Sequence, residues 1–118
     1  MPLSDIRDRI AAAEARAGRA AGSVKLIAVS KVQPLARIEA VRAEGHRLFG
    51  ENRVAEAWAK FGSLKDACEL HLVGHLQRNK AAVAAGLFSC VQSIDKPETA
   101  EALARHCEAI GRRMDVLI

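Results

Sequence analysis

The apolar positions of this chain change period repeatedly, and each change marks an element. Over residues 4–21, Ile6, Ile10, Ala13 and Ala17 fall on one face. That spacing predicts a helix, capped by Ser4 or Asp5 and ended by Gly18 and Gly22. Residues 24–29 form an apolar run broken only by Lys25, the pattern of a strand buried on both faces. Residues 35–43 predict a helix stopped by Gly45, and residues 46–50 a short strand. Residues 52–61 predict a helix with Val54, Ala57, Trp58 and Phe61 on one side, stopped by Gly62. A strand over 70–73, a short helix over 79–85 stopped by Gly86, and a strand over 87–94 come next. Residues 95–113 predict a helix with an Asp95-x-x-Glu98 capping arrangement and Pro97 in its first turn, and residues 115–118 open another strand.

Repeated strand–helix units require right-handed crossovers and a parallel sheet. Two α/β architectures fit. One is a five-stranded doubly wound sandwich, which ~120 residues complete. The other is the first part of a (β/α)8 TIM barrel, which takes ~250 residues. At 118 residues the chain is sized for one domain, with residues 1–22 as an N-terminal helix and 24–118 as the alternating units. Pattern alone favours the sandwich, as a finished object. A sandwich usually closes with a helix after its fifth strand, however, and this sequence stops at that strand. That detail suggests a chain cut short after the fifth strand, and on pattern alone the truncated barrel and the sandwich both stay open.

Composition narrows the function classes. Hydrophobic residues make up 50% and charged residues 27%, ordinary for a globular protein, while aromatics are only 3%. The net charge of +4 is spread along the chain with no aromatic interleaving, so nothing in the pattern supports nucleic-acid binding. Cys68, Cys90 and Cys107 are odd in number and far apart, which fits free thiols in a reducing compartment. No basic cluster followed by an apolar stretch opens the chain, and no apolar run approaches the ~20 residues of a membrane span. A cytoplasmic protein without a membrane partner is expected.

Ligands of parallel α/β folds bind at the carboxyl ends of the strands. Those ends carry Ser30-Lys31, Gly50-Glu51-Asn52, Gly74-His75-Leu76-Gln77 and Gln92-Ser93-Ile94-Asp95. Lys31 is the only charged residue in the run from Leu26 to Val32. A lysine closing a strand is more often a solvated end residue, yet burial would favour the neutral amine that attacks a carbonyl. Asn52 and Asp95 can equally serve as helix caps. His71 and His75 would lie about 13 Å apart on a strand at ~3.3 Å per residue, too far for one metal ion. His46 and His106 read as surface residues, Cys90 as part of the sheet core, and Cys107 as a small hydrophobe on a helix. No glycine-rich phosphate cradle is present.

Four stretches together carry a resemblance: Leu26-Ile27-Ala28-Val29-Ser30-Lys31-Val32-Gln33-Pro34, Phe49-Gly50-Glu51-Asn52-Arg53-Val54-Ala55-Glu56, His71-Leu72-Val73-Gly74-His75-Leu76-Gln77-Arg78-Asn79-Lys80 and Gln92-Ser93-Ile94-Asp95. From about Leu3 to Ile118 the chain resembles the N-terminal half of the pyridoxal 5′-phosphate homeostasis family, the single-domain relatives of the alanine racemase barrel. The resemblance implies a (β/α) barrel holding pyridoxal 5′-phosphate as an imine on Lys31. It places Asn52 near the cofactor ring, and His75 and Ser93 at the same mouth. Ala55 and Arg78 depart from the family's usual residues at positions that read as peripheral. The family's phosphate-binding cup comes from later loops, which this sequence does not contain.

Three functions are weighed. The first is a carrier or buffer of pyridoxal phosphate without turnover, with pyridoxal-phosphate-dependent apo-enzymes as recipients. The second is an amino-acid racemase, for which the chain lacks the tyrosine its relatives use as a second base. The third is a small α/β binding module unrelated to this cofactor. An unclosed barrel would leave its first and fifth strands as open edges for self-association.

Overall fold

The computed structural model describes residues 2–64 and 66–118. Among them the chain alternates as anticipated. A helix, α1 (Leu3–Arg16), leads into β1 (Ala28–Val29), α2 (Leu35–Ala43), β2 (Leu48–Glu51), α3 (Val54–Phe61) and β3 (Glu69–Leu72). A 3₁₀ turn (Arg78–Lys80) then runs into α4 (Ala81–Leu87), β4 (Cys90–Val91), α5 (Pro97–Ala109) and β5 (Asp115–Val116). All four strand pairings are parallel, and the spatial order β1-β2-β3-β4-β5 follows the chain. A doubly wound sheet reverses its strand order at a switch point. This sheet has no reversal, so the sandwich alternative is set aside.

Parallel register puts paired residues on the same face. Phe49 stands beside Leu70, Glu51 beside Leu72, and Leu72 in turn beside Val91. Phe49, Leu70, Leu72 and Val91 point at the helices and form the core with Ile38, Val54, Ala57, Phe61, Leu87, Phe88 and Leu103. The Phe49 and Phe61 rings lie 5.4 Å apart at its centre. The opposite face carries Val29, Gly50, His71, Cys90 and Asp115. It is less covered: Val29 remains 52% exposed.

Several expectations are corrected. The first strand is not a long segment buried on both faces. Only Ala28 and Val29 pair, and they do so with β2 alone, because β1 is an edge of the sheet. The predicted strand over 87–94 shrinks to Cys90–Val91 because α4 continues through Gly86 to Leu87. Trp58 is half exposed, and Val54, Ala57 and Phe61 alone bury the inner face of α3. Neither Ser4, Asp5, Asn52 nor Asp95 caps a helix. The cap positions are Pro2, Arg53 and Lys96, and none makes a side-chain cap bond. His46 is buried, not a surface residue. Its Nδ1 lies 3.0 Å from Arg7 Nη2, its Nε2 lies 2.6 Å from the Leu48 carbonyl, and its ring stands edge-on to Phe49. It thereby ties α1 to the start of β2. Among the described residues no helix is long and apolar enough to cross a membrane.

Candidate functional site

Sequential parallel order gathers the four anticipated site residues at one end of the sheet. Lys31, Asn52, His75 and Ser93 lie one to three residues beyond the ends of β1, β2, β3 and β4. The backbone ladder runs up to them: Ser30 N donates to Gly50 O, Val73 N to Glu51 O, and Gln92 N to Leu72 O, each at 2.9 Å.

Lys31 is exposed, in the turn between β1 and α2. The burial expected from the sequence is absent. Among the described residues the side chain of Lys31 makes no hydrogen bond or ion pair, so its amine is available. The largely buried lysine is Lys60 on α3, which the sequence did not single out. Its side chain is only 12% exposed. Its Nζ lies 2.6 Å from Glu51 Oε1 and 2.8 Å from Glu56 Oε2. It also donates to the Ser30 carbonyl at 2.7 Å and to that of Gln33 at 3.3 Å. Glu56 Oε2 in turn accepts the Val32 N–H at 2.6 Å. Val32 has φ 59°, an unusual left-handed conformation for a β-branched residue.

The charges of this cluster are mutually dependent. Burial depresses the Lys60 pKa, but hydrogen bonds to Glu51 and Glu56 outweigh it and hold the ammonium above the usual lysine range. Hydrogen bonds from Lys60 and from the Val32 N–H hold Glu56 below the usual carboxylate range. Burial pushes Glu51 up, and Lys60 offsets this only in part. Sequence offered one signal for the cluster, the Glu56–Lys60 pair at i,i+4 spacing, which ordinarily marks a solvated helix face.

The turn after β3 is built differently. Gly74 packs so tightly on the Asn52 backbone that a Cβ would overlap its carbonyl oxygen and Cα. Ser93 Oγ donates to the Gly74 carbonyl at 2.5 Å, which fixes the end of β4 to the same turn. His75 Nδ1 lies 3.8 Å from Asp95 Oδ2, with both side chains more than half exposed. Asn52 and His75 line a shared cavity of about 580 Å³ together with Arg53, Gly74, Gln77 and Lys80. Lys31 and Ser93 are not among its lining residues. Arg53, Gln77 and Lys80 were not singled out from sequence. Nearby, His71 Nδ1 meets Gln92 Nε2 at 3.0 Å, and burial lowers the His71 pKa.

The same end of the sheet carries an unengaged primary amine and a cavity bearing two carboxamides, an imidazole and two cationic side chains. That donor set suits a small anionic ligand with a reactive carbonyl.

No family model matches the chain. It is 36% identical over 120 residues to the pyridoxal phosphate homeostasis protein of Escherichia coli strain K12, covering 98% of this chain and 51% of that protein. It is 42% identical over 117 residues to the protein of the same name from Deinococcus radiodurans, covering 98% and 53%. A solved structure of PipY from Synechococcus elongatus PCC7942, with pyridoxal phosphate bound, is 42% identical and superposes with a TM-score of 0.76. That superposition covers 94% of this chain and 52% of PipY. The chain thus spans about half the length of the relatives it matches.

Proposed function

We propose, on the premise that this chain belongs to the pyridoxal phosphate homeostasis family over the half it matches, that it binds pyridoxal 5′-phosphate through Lys31. The reading rests on one observation: Lys31, Asn52, His75 and Ser93 converge on one end of a sequentially ordered parallel sheet. The Lys31 amine adds to the cofactor's aldehyde carbon. Its nitrogen loses its protons as the carbonyl oxygen leaves as water, and a C=N bond replaces C=O. Asn52 and His75 face the ligand from the shared cavity. Ser93 acts through Gly74, since its hydroxyl proton is committed to that carbonyl.

The role is binding and delivery in the cytoplasm, with apo-enzymes that use this cofactor as recipients, and not turnover. Racemisation needs a second base opposite the lysine, and the sequence contains no tyrosine. Titration with pyridoxal phosphate should produce an imine absorbance band that Lys31→Ala abolishes. Alanine racemisation should stay at the rate of free cofactor. Racemisation above that rate would overturn the binding role, and a band undiminished in Lys31→Ala would overturn the assignment of Lys31.

The sheet belongs to a (β/α)8 barrel, with residues 24–118 supplying its first five strands. Two features support this: the strand order lacks any reversal, and the face away from the helices is the less covered one. The open edges at β1 and β5 are where further strands add, and they give this chain a tendency to pair with itself. Light scattering on the chain at increasing concentration checks this. A mass that stays monomeric throughout would contradict self-association.

A further inference from the structure

We propose that Lys60, together with Glu51 and Glu56, is a positioning device that locks the turn between β1 and α2 in the conformation presenting Lys31. The proposal deepens the reading of Lys31 as the cofactor lysine and rests on it.

The Lys31 turn has little to hold it from within. Val32 is 82% exposed and sits at φ 59°, a conformation a β-branched residue does not adopt unaided. One backbone bond, Gln33 N to Ser30 O at 3.1 Å, closes the turn. Its start is held by β2, through Ser30 N and Oγ on the Gly50 carbonyl, and the grip on the rest comes from the cluster behind it. Lys60 takes the carbonyls of Ser30 and Gln33, which bracket Lys31 and Val32. Glu56 takes the Val32 N–H between them. The three backbone groups flanking the reactive lysine are therefore held by one ammonium and one carboxylate.

Glu51 anchors the device to the fold. It is fully buried at the end of β2, the strand to which β1 is paired. A buried carboxylate is costly unless paired, so Glu51 fixes the Lys60 ammonium in place. Lys60 reaches from α3, so helix, second strand and turn are joined at one nitrogen. Strained backbone persists only where its surroundings over-determine it, and it concentrates at functional sites. None of these three residues needs to touch the cofactor.

The test uses the whole chain and two readouts. Amide exchange at Val32 reports the clamp without cofactor. The rate at which borohydride traps pyridoxal phosphate on Lys31 reports its consequence. Glu56→Gln should speed Val32 exchange and slow trapping, each roughly tenfold, with the thermal midpoint nearly kept. Lys60→Met should slow trapping further, and Lys60→Arg should restore most of it. Val32→Gly removes the backbone strain, so in that background Glu56→Gln should slow trapping less than about twofold. Unchanged Val32 exchange in Glu56→Gln would overturn the clamp. Faster exchange with unchanged trapping would overturn its positioning role. A native chain that traps nothing on Lys31 would instead overturn the underlying assignment, whatever the exchange shows.

Discussion

The turns after β1 and β3 reach the same end of the sheet but are held by opposite means. The first has an exposed, strained backbone gripped from behind by buried charge, through Lys60, Glu51 and Glu56. The second is held by backbone against backbone, with Gly74 on Asn52 and Ser93 tied to the Gly74 carbonyl. Among the described residues its one imidazole–carboxylate contact, His75 with Asp95, is long and exposed. A turn held by charge can be released by pH or by a single neutral substitution. A turn held by close packing fails only when atoms are forced into it. Lys31 stands on the first kind, and the cavity lined by Asn52 and His75 stands on the second.

Gly74→Ala should have the largest effect. The added methyl meets backbone that cannot step aside, and overpacking of this kind costs about 3 kcal/mol. Thermal unfolding should show a midpoint lowered by roughly ten degrees or more. A midpoint within a degree or two of the native chain would show that the β3 turn is not held by packing.

Lys60→Met comes next. It leaves Glu51 buried without a partner, and breaking a buried pair costs on the order of 3 kcal/mol, less here because Lys60 keeps some exposure. Denaturant midpoints should separate it from Lys60→Arg, which keeps the charge. Equal losses in both variants would mean that shape, not charge, holds the β1 turn.

Alkaline pH should do the same without mutation. The Lys60 pKa is raised in the folded state, so its contribution is full below the unfolded value of about 10.4. That contribution is lost as pH rises through the higher folded value. Native protein should lose more stability above that pH than Lys60→Met, measured by denaturant midpoints across the alkaline range. Parallel pH curves would refute the linkage.

Asp95→Asn should matter least. An exposed pair at 3.8 Å contributes at most about 0.5 kcal/mol, so the midpoint should move by no more than the error of measurement. A large shift would show that charge also holds the second turn.

What the sequence revealed and concealed follows the same division. The alternation of strand and helix was legible because each element buries one face and its apolar period shows it. The strand-end residues were legible because parallel order places them by rule at one mouth. The ends of β1 and β4 were not. Residues 24–27 look apolar enough for a strand, but the ladder with β2, the one neighbour of β1, holds only Ala28 and Val29, and α4 consumes Leu87. His46 was misjudged and Lys60 passed over for one reason. Their burial depends on partners far along the chain, Glu51 and Ser30 for Lys60, Arg7 for His46. Local pattern records only the neighbouring Glu56, which by itself suggests a solvated pair.

The most direct test of the central claim is to incubate the chain with pyridoxal phosphate, reduce with borohydride, digest, and map the adduct. The account predicts a dominant label on Lys31 that disappears in Lys31→Ala, with Lys25, Lys60 and Lys80 essentially unmodified. Label spread evenly over the exposed lysines, and undiminished in Lys31→Ala, would contradict it.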